Sequence, residues 1–179
     1  MKTPYCIFLL FIVGSFAGCD AYKSLSPRGK LMIKNKETLF RGVHFDSSIS
    51  TVKALEEITP ELEYNDYLRY NISADSIAAG ESLEVEYFFN KKDQLDMIIA
   101  FYYVTNKNAI KPLTEELRRY FEQKIGPARR DESGAYHWEL PDEQGLKGTI
   151  EINLTGETEE GYMGVELELI KYYEYERRL

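Results

Sequence analysis

Catalysis and ligation need groups that exchange protons, hold metals or attack carbon, and this chain offers few of them. Its histidines are His44 and His137. His44-Phe45-Asp46 sets a His and an Asp on one side of an extended segment, with Ser47, Ser48 and Ser50 close behind. Those are the residue types of a Ser-His-Asp relay, which is defined by geometry rather than by closeness in sequence. No nucleophile-elbow sequence accompanies them. An Asp and serines ahead of an apolar run read better as a helix N-cap. His137 falls on the polar side of an alternating strand, facing water. With two distant histidines, and cysteines at positions 6 and 19 alone, no zinc site is expected. No phosphate-loop, dinucleotide or metalloprotease signature occurs, so no cofactor is expected.

Carboxylates are plentiful. Glu84 and Glu86 stand at i and i+2 on one predicted strand, about 6.8 Å apart from the strand rise. That lies within the roughly 5–10 Å at which paired carboxyls work in glycosidases. Glu151, Glu166 and Glu168 extend the same acidic sheet face. However, any alternating strand with two acids supplies this spacing, and an enzyme also needs a concave, largely apolar cleft. A solvated sheet face is the plain reading, and a docking surface for a cationic partner is the sharper one. A second surface is basic: Arg118, Arg119, Lys124, Arg129 and Arg130 gather on and after the second predicted helix. They suit anionic head groups or an acidic partner, or they complement the helix C-terminus.

The chain's start has a different character. Lys2 precedes the apolar run Pro4 to Val13, which is too short to cross a bilayer as a helix and reads as a secretory signal. The residues after it, Ser15-Phe16-Ala17-Gly18-Cys19, resemble the bacterial lipobox on Ala17, Gly18 and Cys19, with Phe16 where Leu is usual. The resemblance implies a signal over 1–18, a lipidated Cys19 and an address in the bacterial cell envelope, at the outer membrane rather than the inner. Asp20 follows the Cys; in some lineages an acid there retains the protein at the inner membrane, and in others acids there direct export to the surface. Residues 19–37 are expected as the lipidated Cys and a charged tether, with a strand starting near Leu31.

The chain has 179 residues, 44% hydrophobic and 29% charged, with a net charge of −8. That is enough apolar content for a packed core. The acid excess argues against nucleic acid, whose phosphates need net Lys and Arg. Losing the signal would remove Lys2 alone among charged residues, and would leave a domain over 38–179 with no cysteine for a disulfide.

Within it, Asp46-Ser47-Ser48 caps a helix carrying Ile49, Val52, Leu55 and Ile58, stopped by Pro60. Strands follow at Leu68–Ile72 and Leu83–Phe89, then a hairpin turn at Asn90–Asp93 and a central strand over Leu95–Val104. Pro112 opens a second helix with an apolar stripe of Leu113, Leu117, Tyr120, Phe121 and Ile125, closed by Gly126-Pro127. Tyr136–Leu140, a turn at Gly145 and Gly148, Ile150–Leu154, a turn at Gly156–Gly161 and Val165–Leu169 complete the pattern. Helix and three strands thus occur twice, over 46–104 and 112–173, aligned at an offset of 67. An α+β domain is expected: two layers, with an antiparallel sheet and both helices on one face. Tyr70, Tyr87 and Tyr136 fall on its core face. Tyr102, Tyr103, Tyr172, Tyr173 and Tyr175 are left for the surface.

The lipobox, the helix closed by Ile125-Gly126-Pro127 and the aromatic strand with Trp138 look like small envelope lipoproteins. In element order the chain resembles the small lipoprotein of the outer-membrane β-barrel assembly machinery and the β-lactamase-inhibitor-like fold, which repeats a helix-plus-sheet unit. The resemblance implies a membrane-anchored, non-enzymatic module that binds an envelope protein. Inhibition of a secreted hydrolase is the alternative, through a protruding loop at Ser73–Gly80 or Asn106–Lys111. A carboxylate-dependent enzyme is a third reading.

Overall fold

The fold comes from a computed structural model that describes residues 21–140, 146–155 and 163–173, with the backbone alone for 140, 146–155 and 172–173. Its first element corrects the expected tether. Ser26 caps helix α1 (Pro27–Ile33), its Oγ accepting from the Gly29 N–H, with Pro27 in the first turn, where a missing N–H costs nothing. Leu25, Gly29, Met32 and Ile33 fall at i, i+4, i+7 and i+8, and all are buried. They form the stripe of an amphipathic helix, so Leu31 does not start a strand. Gly29 permits the packing: a Cβ there would lie 2.0 Å from Glu116 Oε1.

Helix α2 (Ile49–Glu56) starts on Ser48, whose Oγ accepts from the Thr51 N–H, and ends in left-handed Glu57. Strands β1 (Leu62–Tyr64), β2 (Tyr67–Ser73), β3 (Ser82–Phe89) and β4 (Leu95–Val104) follow as a meander. A 3₁₀ turn at Lys107–Ala109 leads into helix α3 (Ile110–Ile125), so Pro112 stands third in the helix rather than first. It is tolerated there because the first four N–H groups have no intrahelical acceptor. Gly126 ends α3 at φ 113°, a conformation that favours glycine. Strands β5 (Arg129–Arg130), β6 (Tyr136–Leu140), β7 (Leu146–Thr155) and β8 (Met163–Tyr173) complete the chain. Gly148 pairs within β7 instead of marking a turn. Gly145 and the turn expected at Gly156–Gly161 lie outside the described residues.

The strands form one antiparallel sheet of eight, in the order β1-β2-β3-β4-β8-β7-β6-β5. This is an α+β fold, and its order reads the same from either edge. Ala100 on β4 pairs with Leu167 on β8, its own counterpart at the offset of 67. Val85 pairs with Ala100 as Ile152 pairs with Leu167, at the same offset. Strand β6 departs by one residue: Tyr70 opposite Val85 is matched by Tyr136 opposite Ile152. Four strands, not three, follow each of α2 and α3. The edge strands β1 and β5 are too short to show alternation.

Register fixes the faces. Leu68, Tyr87, Ile98, Leu169, Ile150 and Trp138 pair in one row across six strands, so they share a side. At one end of that row Tyr87 reaches Glu56 of α2. At the other, the Trp138 ring lies 5.5 Å from that of Phe121 in α3. Helices α2 and α3 thus meet the same sheet face, and α1 packs against α3. Tyr70 and Tyr87 are in the core as expected. Tyr102 is as well, fully buried, which corrects its placement at the surface. It lies two residues from Ala100 on the covered side of β4, and its hydroxyl finds an internal acceptor.

Candidate functional site

The opposite sheet face is reached one residue along the same register. Glu84, Phe101 and Glu166 form a row across β3, β4 and β8. Glu86, Ile99 and Glu168 form the next, and Phe88, Met97 and Ile170 a third. Glu151 on β7 pairs with Glu168 in backbone register; its side chain lies outside the description. The five glutamates singled out by alternation therefore belong to one face. Glu84 and Glu166 are two strand spacings apart, about 10 Å, on either side of Phe101.

The apolar members of these rows are half-buried rather than covered, and two of them make ring contacts with neighbouring tyrosines. Tyr67 and Phe88 lie 5.1 Å apart by ring centres, and Phe101 and Tyr103 4.4 Å. Phe101 rests on Gly164 of β8, where an added Cβ would lie 2.3 Å from the ring and 2.4 Å from the Tyr102 carbonyl oxygen. The Tyr67 hydroxyl donates to Glu86. Arg69 Nε lies 3.3 Å from Glu61 and 4.0 Å from Glu84. Burial pushes the Glu84 carboxyl up, opposed by Arg69 and reinforced by Glu86. A carboxylate short of solvent is stabilised by an incoming cation. Glu84 and Glu151 themselves stand three strand spacings and one two-residue step apart, about 16 Å, beyond the roughly 5–10 Å of a catalytic carboxyl pair.

No family model, no curated protein and no solved structure matches this chain.

Behind the sheet, two buried glutamates hold the N-terminal segment in place. Glu56 at the end of α2 accepts from Arg41 Nε at 2.7 Å and Nη2 at 2.6 Å, from Lys34 Nζ at 3.1 Å and from the Tyr87 hydroxyl. Arg41 Nη1 also donates to the Leu31 carbonyl at 2.5 Å, and Lys34 Nζ to that of Leu55 at 2.5 Å. The C-terminal ends of α1 and α2 are thereby tied to β3. Glu81 accepts from Arg28 Nε at 2.8 Å and Nη2 at 2.9 Å, and from the Tyr102 hydroxyl at 3.0 Å. In both cases a sheet tyrosine and an arginine from the N-terminal segment share one carboxylate. Every such bond is charge-assisted, the strong kind.

The other sequence candidates have local duties. His44 is exposed, and its backbone N–H donates to Ser47 Oγ at 3.1 Å. Ser48 caps α2, and the Asp46 carboxylate pairs with Lys171 of β8. No His-Asp-Ser relay is assembled from these groups. His137 is half-buried rather than solvated, its Nε2 2.8 Å from Asp131.

Of the basic cluster, Arg118 lies 3.0 Å from Glu115 and 2.5 Å from Glu122, with its guanidinium 5.8 Å from the Tyr136 ring centre. Lys124 donates to the Lys36 carbonyl and Arg130 to that of Gly134. Arg119 and Arg129 are exposed. Cys19 lies outside the described residues.

Sequence reasoning missed Arg28, Arg41, Glu56 and Glu81. For Glu56 a signal existed, because it occupies i+7 from Ile49 on the buried stripe of α2, and an acid on an apolar stripe demands a partner. Glu81 sits between a loop and a strand, where no periodicity applies.

Proposed function

We propose that this chain is a lipid-anchored, non-enzymatic protein of the bacterial cell envelope that binds another protein through its open sheet face. The signal over 1–18, followed by the lipobox Cys19, supports the anchor, which we place at the outer membrane rather than the inner. The observation that carries the binding reading is the pair of rows Glu84-Phe101-Glu166 and Glu86-Ile99-Glu168. Half-buried apolar side chains stand there between carboxylates. This suits a partner with Lys or Arg around an apolar contact, since complementary charge steers encounter while the apolar centre supplies affinity.

Metabolic labelling with radioactive palmitate tests the anchor. Absence of label, or label that survives Cys19→Ala, would overturn it. Crosslinking in the intact envelope tests the face. Glu84→Lys with Glu166→Lys is expected to abolish capture of the wild-type partner, and unchanged capture would sink the reading.

A second reading, inhibition of a secreted hydrolase, is favoured by the joining of two helix-plus-four-strand units in one sheet. Its expected loops are mostly exposed but braced by local hydrogen bonds. Ala74 is buried and donates its N–H to Glu81 at 2.9 Å, Asp75 accepts from the Gly80 N–H at 2.8 Å, and the second loop is the 3₁₀ entry to α3. Capture of a hydrolase alone would favour this reading.

A further inference from the structure

The segment expected as a tether has no slack. Ala21 and Leu25 are 9% and 4% exposed and belong to the core. Ser26 donates to Glu116 of α3 through its N–H at 2.7 Å and its hydroxyl at 3.0 Å. Arg28 is locked to Glu81, and the Tyr22 hydroxyl donates to the Lys34 carbonyl at 3.1 Å. Two residues of chain span at most about 7 Å. A lipid on Cys19 is therefore held within that reach of the packed body of the domain.

The side of attachment follows from the same contacts. Ser26 is bonded to α3, and Arg28 reaches Tyr102 and Glu81 behind the sheet. Both anchor points belong to the helix side, opposite the rows that carry Glu84 and Glu166. Charge is divided the same way. Residues 21–37 hold Lys23, Arg28, Lys30, Lys34 and Lys36 against Glu37 alone. Lys23, Lys30 and Lys36 are exposed there, as is Arg119 on α3. The open face carries Glu84, Glu86, Glu166 and Glu168 against Arg69.

We infer that the bilayer holding the anchor is itself a docking surface for the helix side of the domain, and that the acidic sheet face is turned away from it. This rests on the lipid-anchor reading. Anionic head groups attract the cations around α1 and repel the glutamates, and the short reach from Cys19 keeps the domain within the range where that attraction acts. Partners then approach from the aqueous side, onto the exposed glutamate rows.

The test uses the full, lipidated chain in vesicles of phosphatidylethanolamine and phosphatidylglycerol containing a headgroup-quencher lipid. Lys30→Cys, Arg119→Cys, Asn71→Cys and Glu139→Cys, each made alone at an exposed position, carry a fluorophore. Quenching at Lys30 and Arg119 is expected to exceed that at Asn71 and Glu139 by threefold or more. Inserting twenty Gly/Ser residues between Asp20 and Ala21, with Lys23→Glu and Lys36→Glu, should erase the difference. Equal quenching at all positions of the native chain overturns the orientation while leaving the anchor intact. Failure of the lipidated chain to float with the vesicles overturns the anchor, and the orientation with it.

Discussion

Arg28 of α1 and Glu81 at the head of β3 form a two-bond ion pair, Nε to Oε2 at 2.8 Å and Nη2 to Oε1 at 2.9 Å. The Glu81 side chain is fully buried and that of Arg28 is 28% exposed. Removing the arginine leaves a buried carboxylate with a tyrosine hydroxyl as its remaining described partner. Discounted for the arginine's partial exposure, Arg28→Ala should cost about 2–3 kcal/mol, read from urea unfolding. Replacing both partners, as Arg28→Met with Glu81→Leu, should recover most of the loss. An equal loss in the double variant would show that the unpaired Glu81 charge is not the source of the loss.

Two buried tyrosines give opposite expectations for the same substitution. Tyr70 and Tyr87 stack edge to face at 5.9 Å between ring centres, and neither is exposed. Tyr87 donates to Glu56, whereas the Tyr70 hydroxyl is buried without a partner among the described residues. Burial pushes the Tyr70 hydroxyl up to about 12, with Glu56 adding to the effect. Tyr70→Phe removes an unsatisfied polar group and should leave stability unchanged or raise it by about 1 kcal/mol. Tyr87→Phe removes a bond to a carboxylate and should cost about 1.5–3 kcal/mol. Differential scanning calorimetry of the two variants checks the contrast, and a costly Tyr70→Phe would contradict it.

Acid acts on this fold in two directions. Burial opposes ionisation of Glu56, but the hydrogen bonds and charge of Arg41, with Tyr87 and Lys34, hold its carboxyl below the usual range. A carboxylate depressed in the native state stabilises the fold above its unfolded value, and that contribution disappears as pH falls through the lower native value. Glu84 runs the other way. Burial raises it, so its ionisation weakens the fold at neutral pH, and acid relieves the strain. Stability should therefore rise slightly from pH 7 toward about 5 and fall below about 4, given ordinary carboxylates near 4.3. Glu84→Gln should raise the thermal midpoint at pH 7 but not at pH 3. Glu56→Gln should lower it at pH 7 and blunt the fall in acid. A Glu84→Gln midpoint unchanged at pH 7 would remove the first limb of this account.

Much of the sheet was legible because period-two alternation survives wherever one face is buried and the other is open. The rows of Glu84, Glu86, Glu166 and Glu168 follow from it directly, and so does the offset of 67 that sets Ala100 against Leu167. Helix α1 was not legible, for a physical reason. Its buried stripe includes Gly29, which counts as a breaker in sequence but is the residue that lets α3 approach. Its other buried residues, Leu25, Met32 and Ile33, are spread among lysines that keep their charges in solvent. Tyr102 was misplaced because β4 is apolar on both sides, so alternation offers no contrast to rank Tyr102 against Tyr103. The Arg28–Glu81 and Arg41–Glu56 pairs join residues 53 and 15 positions apart, and no local pattern encodes such a meeting.

Gly164 offers the sharpest separation between the open face and the core beneath it. It pairs with Tyr103 across the central seam, and Phe101 lies against the space its missing side chain leaves. A methyl there meets the Phe101 ring, which can turn aside, but also the Tyr102 carbonyl oxygen at 2.4 Å, which cannot without moving the β4 backbone. Overpacking of this kind costs about 1–3 kcal/mol, so Gly164→Ala should lose that much in urea unfolding. Phe101→Ala relieves the ring clash but not the backbone clash, so the double variant should remain less stable than Phe101→Ala alone. If the double variant instead matches Phe101→Ala, the ring is the whole obstacle and the β4–β8 seam can yield. Because Phe101 stands between Glu84 and Glu166, each of these variants should also weaken partner capture, Phe101→Ala most of all. That loss should appear at temperatures where the variant's near-ultraviolet circular dichroism still reports a native fold.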